Sequence, residues 1–424
     1  MEPGLLVAYI ALGVLAVIPI YVGSFGALKF PSQKRKSHRD GSDSEASEAE
    51  SEEEEFFRLE DAYMFPVFGS AALLSLYLVF KYLNKEALNA LFTAYFSILG
   101  VGAVAKASLQ ISRAVTGKKL KGEYRVDLWK KEKEIATYHF GAYHLFLLVV
   151  SLSIAGLYAM SKHWVLSNIY GEAFSVSAIQ LLKLDSFKTG IALLAFLFFY
   201  DIFWVFGTDV MVTVAKSFDA PIKVLWPRNI WDMIAEGRFW NTEGMEFSLL
   251  GLGDIVIPGI FVALCLKFDH DQYLASPAGK KNKQSRSFPK PYFTSAFIAY
   301  VLGLITTVVV MHNFKAAQPA LLYLSPACIF SVLLTGLARG ELKHVLAYEP
   351  GSSSDKTKQI KAAAAAATTK TTKAIKKAAA AALSSSEEND PLLQASPRVT
   401  RSASKRTTPA SPAAKKRSIK KEGQ

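Results

Sequence analysis

Cysteine is nearly absent: the 424 residues contain two, Cys265 and Cys328, both inside apolar stretches. No disulfide framework or zinc motif follows from two isolated cysteines, and the seven histidines show no metal-ligand spacing. Neither a metal nor another cofactor is therefore expected. There is no Asn-x-Ser/Thr sequon. Charge is also scarce where it matters most. Asp, Glu, Lys and Arg make up 20% of the chain, yet several stretches of about 20 residues hold almost none. Such runs exclude an ordinary soluble domain.

Apolar residues make up 51% of the chain and aromatics 12%, and the mean hydropathy is +0.21 despite long polar segments. Nine candidate membrane spans emerge, near residues 4–27, 63–83, 87–110, 139–160, 165–184, 187–208, 247–268, 293–313 and 319–339. The expected fold is an all-α polytopic membrane bundle. The fifth span is the weakest, because it holds Asn168, Glu172, serines and Gln180. It reads as a span, a re-entrant segment or a helix buried within the bundle.

Lys and Arg concentrate after the first, third and seventh spans, as in Lys34–Lys36, Lys118–Lys121 and Lys280–Lys283. The positive-inside rule makes those loops cytosolic, with the N-terminus on the other side and the C-terminal tail in the cytosol. The first span reads as a retained anchor, since its basic residues follow the apolar run and no small-residue cleavage pattern appears.

Residues 41–55, GSDSEASEAESEEEE, offer no large apolar side chain and read as disordered. From Arg339 onward 18 Lys and Arg face 7 acids, so +11 of the formal +13 lies in a tail suited to anionic lipid. Without interleaved aromatics or a folded module, that charge does not argue for nucleic acid. The expected divisions are a first transmembrane helix over 1–28, a disordered acidic and basic cytosolic loop over 29–62, an N-terminal bundle over 63–184, a second group of helices over 185–348 and a disordered basic tail over 349–424.

Two acids interrupt the apolar runs: Asp201 in IALLAFLFFYDIFWVF and Asp254 in FSLLGLGDIVIPGIFVALCL. An ionised acid at mid-bilayer costs roughly 2.5–3.5 kcal/mol on insertion scales, so such residues usually face a protein interior and serve a function. Consecutive spans run antiparallel. Asp201 is expected about seven residues before the chain leaves the membrane and Asp254 about seven after it re-enters, which puts both roughly 10 Å below one face. Asp209 and Asp219 fall at a span end and in a loop, where charge is tolerated, and are read as non-catalytic.

Gly251, Leu252 and Gly253 precede Asp254, and Pro258 follows it. On a helix, Gly251 would share the face of Asp254 and leave room for a second backbone. Pro258 would free the Asp254 carbonyl and bend or open the helix there. Tyr200 either hydrogen-bonds near the acids, lines a substrate path or merely packs. Gln318, Pro319, Ala320 and Leu321 begin the last span, where proline biases Gln318 toward an extended backbone suited to aligning a substrate strand. A plain helix start is the simpler reading.

Two close carboxyls share one proton, and such a pair hydrolyses peptides without metal or serine: one member deprotonates water while the other activates the carbonyl. The set YD at 200–201, GLGD at 251–254 and QPAL at 318–321 resembles the GxGD intramembrane aspartyl proteases. FGTDVMVTVAKSFDAPIK at 206–223 and QPALLYLSPA at 318–327 are similar to their signal peptide peptidase branch rather than to presenilin.

The resemblance covers about residues 63–348. It implies nine membrane helices, Asp201 and Asp254 as catalytic residues, Tyr200, Gly251, Gly253, Pro319, Ala320 and Leu321 as support, and an endoplasmic reticulum location with a lumenal N-terminus. It also implies remnant signal peptides and other membrane helices as substrates. Asp209 stands where the family pattern leads one to expect asparagine. Transmembrane peptides and lipid are the expected partners, and a homo-oligomer is left open. A proton-coupled transporter or channel using paired acids, or a non-catalytic scaffold that binds membrane helices, are the rival functions.

Overall fold

The computed structural model describes residues 3–28, 56–116, 124–130, 133–218, 220–237, 244–282, 287–314 and 318–350. The acidic loop over 41–55, Asp219 and the tail from residue 351 onward lie outside the described residues. The chain runs through α1 (Pro3–Ala27), β1 (Phe56–Phe57), α2 (Leu59–Tyr82), α3 (Lys85–Thr116), β2 (Tyr124–Lys130), β3 (Lys133–Phe140), α4 (Ala142–Ser161) and α5 (Trp164–Leu181). It continues through β4 (Lys183–Leu184), α6 (Phe187–Asp201), a π-helical turn (Ile202–Phe206), α7 (Val210–Ser217), β5 (Lys223–Pro227), α8 (Ile230–Ala235) and β6 (Phe247–Gly251). Last come α9 (Gly253–Ala275), α10 (Pro277–Lys281), α11 (Pro291–Phe314), α12 (Leu321–Ala338) and α13 (Leu342–Leu346).

Each expected span coincides with a long helix, and seven of these are long and apolar enough to cross a membrane: α1, α2, α3, α4, α6 with its π-turn, α11 and α12. The protein is therefore an all-α polytopic membrane protein. The other two, α5 and α9, form the inside of the bundle. Half of α5 is buried, and α9 is buried almost continuously from Pro258 to His270, packed by α1, α5, α6, α11 and α12. A helix walled by other helices need not match lipid, so polar residues in α5 and acids in α9 carry no insertion penalty of the usual size. Of the three readings of the fifth span, the structure has the buried helix.

Small residues bring this centre together. Ile179 of α5 fills the space left by Gly23 of α1 and Gly259 of α9; a Cβ on either glycine would come within 2.9 and 2.6 Å of the Ile179 side chain, respectively. Membrane helices gain little from hydrophobic burial, so such close packing carries much of their association. On the same principle Phe261 of α9 lies over Gly190 of α6. Ser186 caps α6 by accepting the Thr189 N–H at 3.2 Å.

Among the described residues, three two-stranded pairs lie outside the expected all-helical pattern. β2 and β3 pair antiparallel in a region read from the sequence as a basic loop. β1 and β4 form a short parallel pair. β5 and β6 pair antiparallel from Lys223↔Gly251 to Pro227↔Phe247. The last pair corrects the extent of the seventh span, whose first five residues are strand. Hydropathy registers FSLLG as apolar and cannot distinguish a buried strand from the start of a helix.

Candidate active site

Asp201 is the last residue of α6, only 5% exposed, and the π-turn begins directly after it. The Ile202 N–H is shared between the Phe198 and Phe199 carbonyls, and the helix widens only in the π-turn that follows the acid. Such π-turns recur at functional positions. Asp254 is the second residue of α9, not seven residues into a helix as expected. Each acid therefore marks a helix end, where backbone geometry changes.

The turn into α9 is compact. The Leu252 N–H donates to the Ile222 carbonyl at 3.0 Å, extending the β5–β6 pairing by one bond. The Leu252 carbonyl then accepts from Ile255 and Val256 at 3.1 and 2.8 Å, opening the helix. Gly251 thus ends a strand and shares no helical face with Asp254. It nevertheless lies beside the acid, because the turn folds back: a Cβ at Gly251 would stand 3.5 Å from Asp254 Oδ2. Gly253 has open space around it.

Pro258 does not interrupt α9, which runs unbroken through it. The carbonyl it frees is taken up by a neighbouring helix: the fully buried Tyr300 of α11 donates its hydroxyl to the Asp254 carbonyl at 3.3 Å. The expected opening is replaced by an interhelical hydrogen bond.

Both carboxyls line one cavity of about 320 Å³, together with Tyr200, Gly251, Gly253 and Leu321. Asp201 is near enough to act electrostatically on Asp254. Among the described residues, neither carboxyl accepts a hydrogen bond. Phe65, Pro66 and Gly69 of α2, Leu197 of α6, Met211 of α7 and Ile257 of α9 complete an otherwise apolar wall. Tyr200 lies against Gly69, and the α2 wall is tied down by Trp204 Nε1 donating to Ser70 Oγ at 3.1 Å.

The remaining expected residues stand behind this lining. Leu252 packs against Gly171 of α5. Pro319 and Ala320 are buried at the start of α12, and Gln318 is half-buried. Asp209 is exposed at the N-terminus of α7 and away from the cavity lining. The α2 residues and Met211 were missed, since nothing in their local sequence separates them from lipid-facing apolar positions; Pro66 within a span was the one available signal. Among the described residues, no group of three His, Cys, Asp or Glu could hold a metal.

Paired acids in an apolar crevice, held by a YD turn, a GLGD turn and a QPAL helix start, lead directly to comparison with known proteins. The family described as signal peptide peptidase matches residues 48–352. Signal peptide peptidase of Mus musculus is 38% identical over 364 residues, covering 85% of this chain and 87% of its own. The Homo sapiens protein of that name is 38% identical over 357 residues, 83% and 86% of the two chains. Intramembrane protease 2 of Caenorhabditis elegans is 44% identical over 236 residues, 55% of this chain and 49% of its own. A match sustained across the helices that build the crevice, and at this identity over most of both chains, assigns the chain to the signal peptide peptidase family.

Proposed function

We propose that this intramembrane protease is of the aspartic type and hydrolyses peptide bonds within membrane helices through Asp201 and Asp254. The observation that carries the reading is the shared cavity: two carboxyls, unpartnered among the described residues, face one apolar space bounded by Leu321. In the proposed cycle the pair holds one proton. The ionised carboxyl takes a proton from water, whose oxygen attacks the carbonyl carbon, while the protonated carboxyl donates to the carbonyl oxygen. Collapse of the tetrahedral intermediate breaks the C–N bond and returns a proton to the leaving amine. One water is consumed and the dyad is restored.

A helical substrate must first unwind, because its carbonyls are occupied by its own turns and lipid supplies no water. Tyr200, Gly251 and Gly253 line the crevice beside the acids, the glycines leaving room there, and Gln318, Pro319, Ala320 and Leu321 offer a stiff edge for the opened strand. Remnant signal peptides and type II membrane proteins are the proposed substrates. The proposed setting is the endoplasmic reticulum, with the N-terminus lumenal and the tail cytosolic, supported by the basic residues that follow α1, α3 and α9.

The deciding experiment uses the purified protein with a fluorescent signal-peptide helix. Wild type cleaves, and Asp201→Ala and Asp254→Ala do not. Cleavage at the normal rate by either variant overturns the dyad. Tight binding of the helix without cleavage by the wild type would instead indicate a scaffold.

A further inference from the structure

The polar residues of α5 have a use that membrane insertion does not explain. Asn168, only 6% exposed, is clamped to a single residue of β5: its Nδ2 donates to the Leu225 carbonyl at 2.7 Å, and the Leu225 N–H donates to its Oδ1 at 2.8 Å. A primary amide presents a donor and an acceptor side by side, so it matches the outer edge of a strand as a neighbouring strand would. Leu225 lies opposite Leu249 of β6. In an antiparallel ladder hydrogen-bonded and non-bonded pairs alternate, so a residue whose N–H and carbonyl both turn outward belongs to a non-bonded pair. Asn168 thereby satisfies the two groups of Leu225 that β6 cannot reach, in a setting where an unpaired backbone group is costly.

The surroundings make this clamp stiff. Trp164 of α5 and Trp226 of β5 meet edge to face at 5.4 Å. Three residues after Asn168, Gly171 leaves room for Val224 and Leu252, whose atoms would lie 3.6 and 3.4 Å from an added Cβ. The far end of α5 is fixed as well, by Ile179 between two glycines and by the reciprocal amide pair of Gln180 with Gln110 on α3, at 2.7 and 2.8 Å. β6 hangs on β5, and three residues beyond its end stands Asp254.

We infer that Asn168 is a positioning residue for Asp254: it pins β5, β5 holds β6 in register, and β6 delivers the carboxyl to the cavity. Asn168 itself does not line that cavity. The inference rests on the reading of Asp254 as catalytic.

The test compares wild type, Asn168→Ala, Asn168→Asp and Asp254→Ala as full-length proteins, measuring kcat, KM, pH–rate profile and unfolding midpoint with one helical substrate. Misplacing a reacting group by about 1 Å costs on the order of 100-fold. Asn168→Ala is expected to lower kcat roughly 10- to 100-fold with KM little changed. Asn168→Asp reproduces both bonds only while its carboxyl is protonated, so it should lose activity at alkaline pH where wild type keeps it. Glu172, His163 and Lys223 at this end of α5 and β5, and Asp254 beyond them, are common to both proteins, so a difference in profile reports on position 168.

Wild-type kcat in Asn168→Ala overturns the inference. If Asn168→Ala does not fold, the Asn168→Asp profile decides: an added alkaline limb supports the role, and superposition on wild type overturns it. An active Asp254→Ala sinks the dyad instead, whereas an inactive Asp254→Ala beside an unimpaired Asn168→Ala removes only the role of Asn168.

Discussion

The helix α9 carries an aspartate toward each end, Asp254 half-buried and Asp269 buried, and the two are treated in opposite ways. Asp269, 2% exposed, accepts the backbone N–H groups of Phe293 at 2.8 Å and Tyr292 at 3.4 Å. Those are free donors at the start of α11, which a helix cannot satisfy internally. Around it Tyr348 donates to Asp271 at 2.5 Å, and Glu341 accepts from Tyr292, Arg339 and Gln272 at 3.1, 3.3 and 3.4 Å. Asp254, at the other end, has no such partner for its carboxyl among the described residues. Buried polar groups are almost always hydrogen-bonded. An acid whose needs folding meets is part of the scaffold, and one left unmet beside a cavity is available for chemistry.

The sharpest break of this comparison is a pair of substitutions. Asp254→Asn should reduce cleavage by roughly 10²- to 10⁴-fold, the usual scale for losing an acid–base group, without lowering the unfolding midpoint. Asp269→Ala should do the reverse: two orphaned N–H groups cost about 1–3 kcal/mol, read as a lower midpoint, while cleavage per folded molecule stays unchanged. A stable but inactive Asp269→Ala would erase the distinction.

A smaller effect sharpens the picture at the Asp254 end. Tyr300→Phe strips the Asp254 carbonyl of its partner and should cost about 1–3 kcal/mol. Pro258→Ala restores the N–H that the helix lacks, so in that background the loss of the Tyr300 hydroxyl should cost less. A double-mutant cycle by chemical denaturation should show coupling above about 0.5 kcal/mol; strict additivity would mean that the hydroxyl does not serve that carbonyl.

The smallest effect lies at the other end. Burial pushes the Glu341 carboxyl up, but hydrogen bonds from Arg339, Gln272 and Tyr292 outweigh it and hold the group below its ordinary value of 4.5. Its contribution to stability is therefore present above pH 4.5 and is lost as pH falls through the lower folded value. Midpoints measured across that window should fall more steeply for wild type than for Glu341→Gln. Parallel curves would show that Glu341 adds nothing there.

The spans were readable because lipid leaves few options: an apolar run of about 20 residues must satisfy its backbone internally, so it becomes a helix wherever it sits. The acids were readable for the complementary reason, since Asp201 and Asp254 stand in runs that otherwise exclude charge. The turn at Asp254 was not. Phe247–Gly251 is as apolar as a helix, and its strand partner, Lys223–Pro227, lies on the far side of α8, beyond any local pattern. Alternation at Tyr124, Val126 and Leu128 was a local sign of β2, masked by the surrounding lysines. The polarity of Asn168 rightly marked α5 as a helix that could be buried within the bundle, but its pairing with the edge of β5, 57 residues away, lay beyond any local pattern.

By itself, then, the sequence determined which segments leave water and which two acids go with them, because hydrophobicity is a property of composition. Only the tertiary structure decided that those acids share a cavity, that Tyr300 answers Pro258 and that Asn168 of α5 closes the edge of the β5–β6 hairpin. Such pairings join residues tens to hundreds apart, and they depend on shape and direction, which composition does not record.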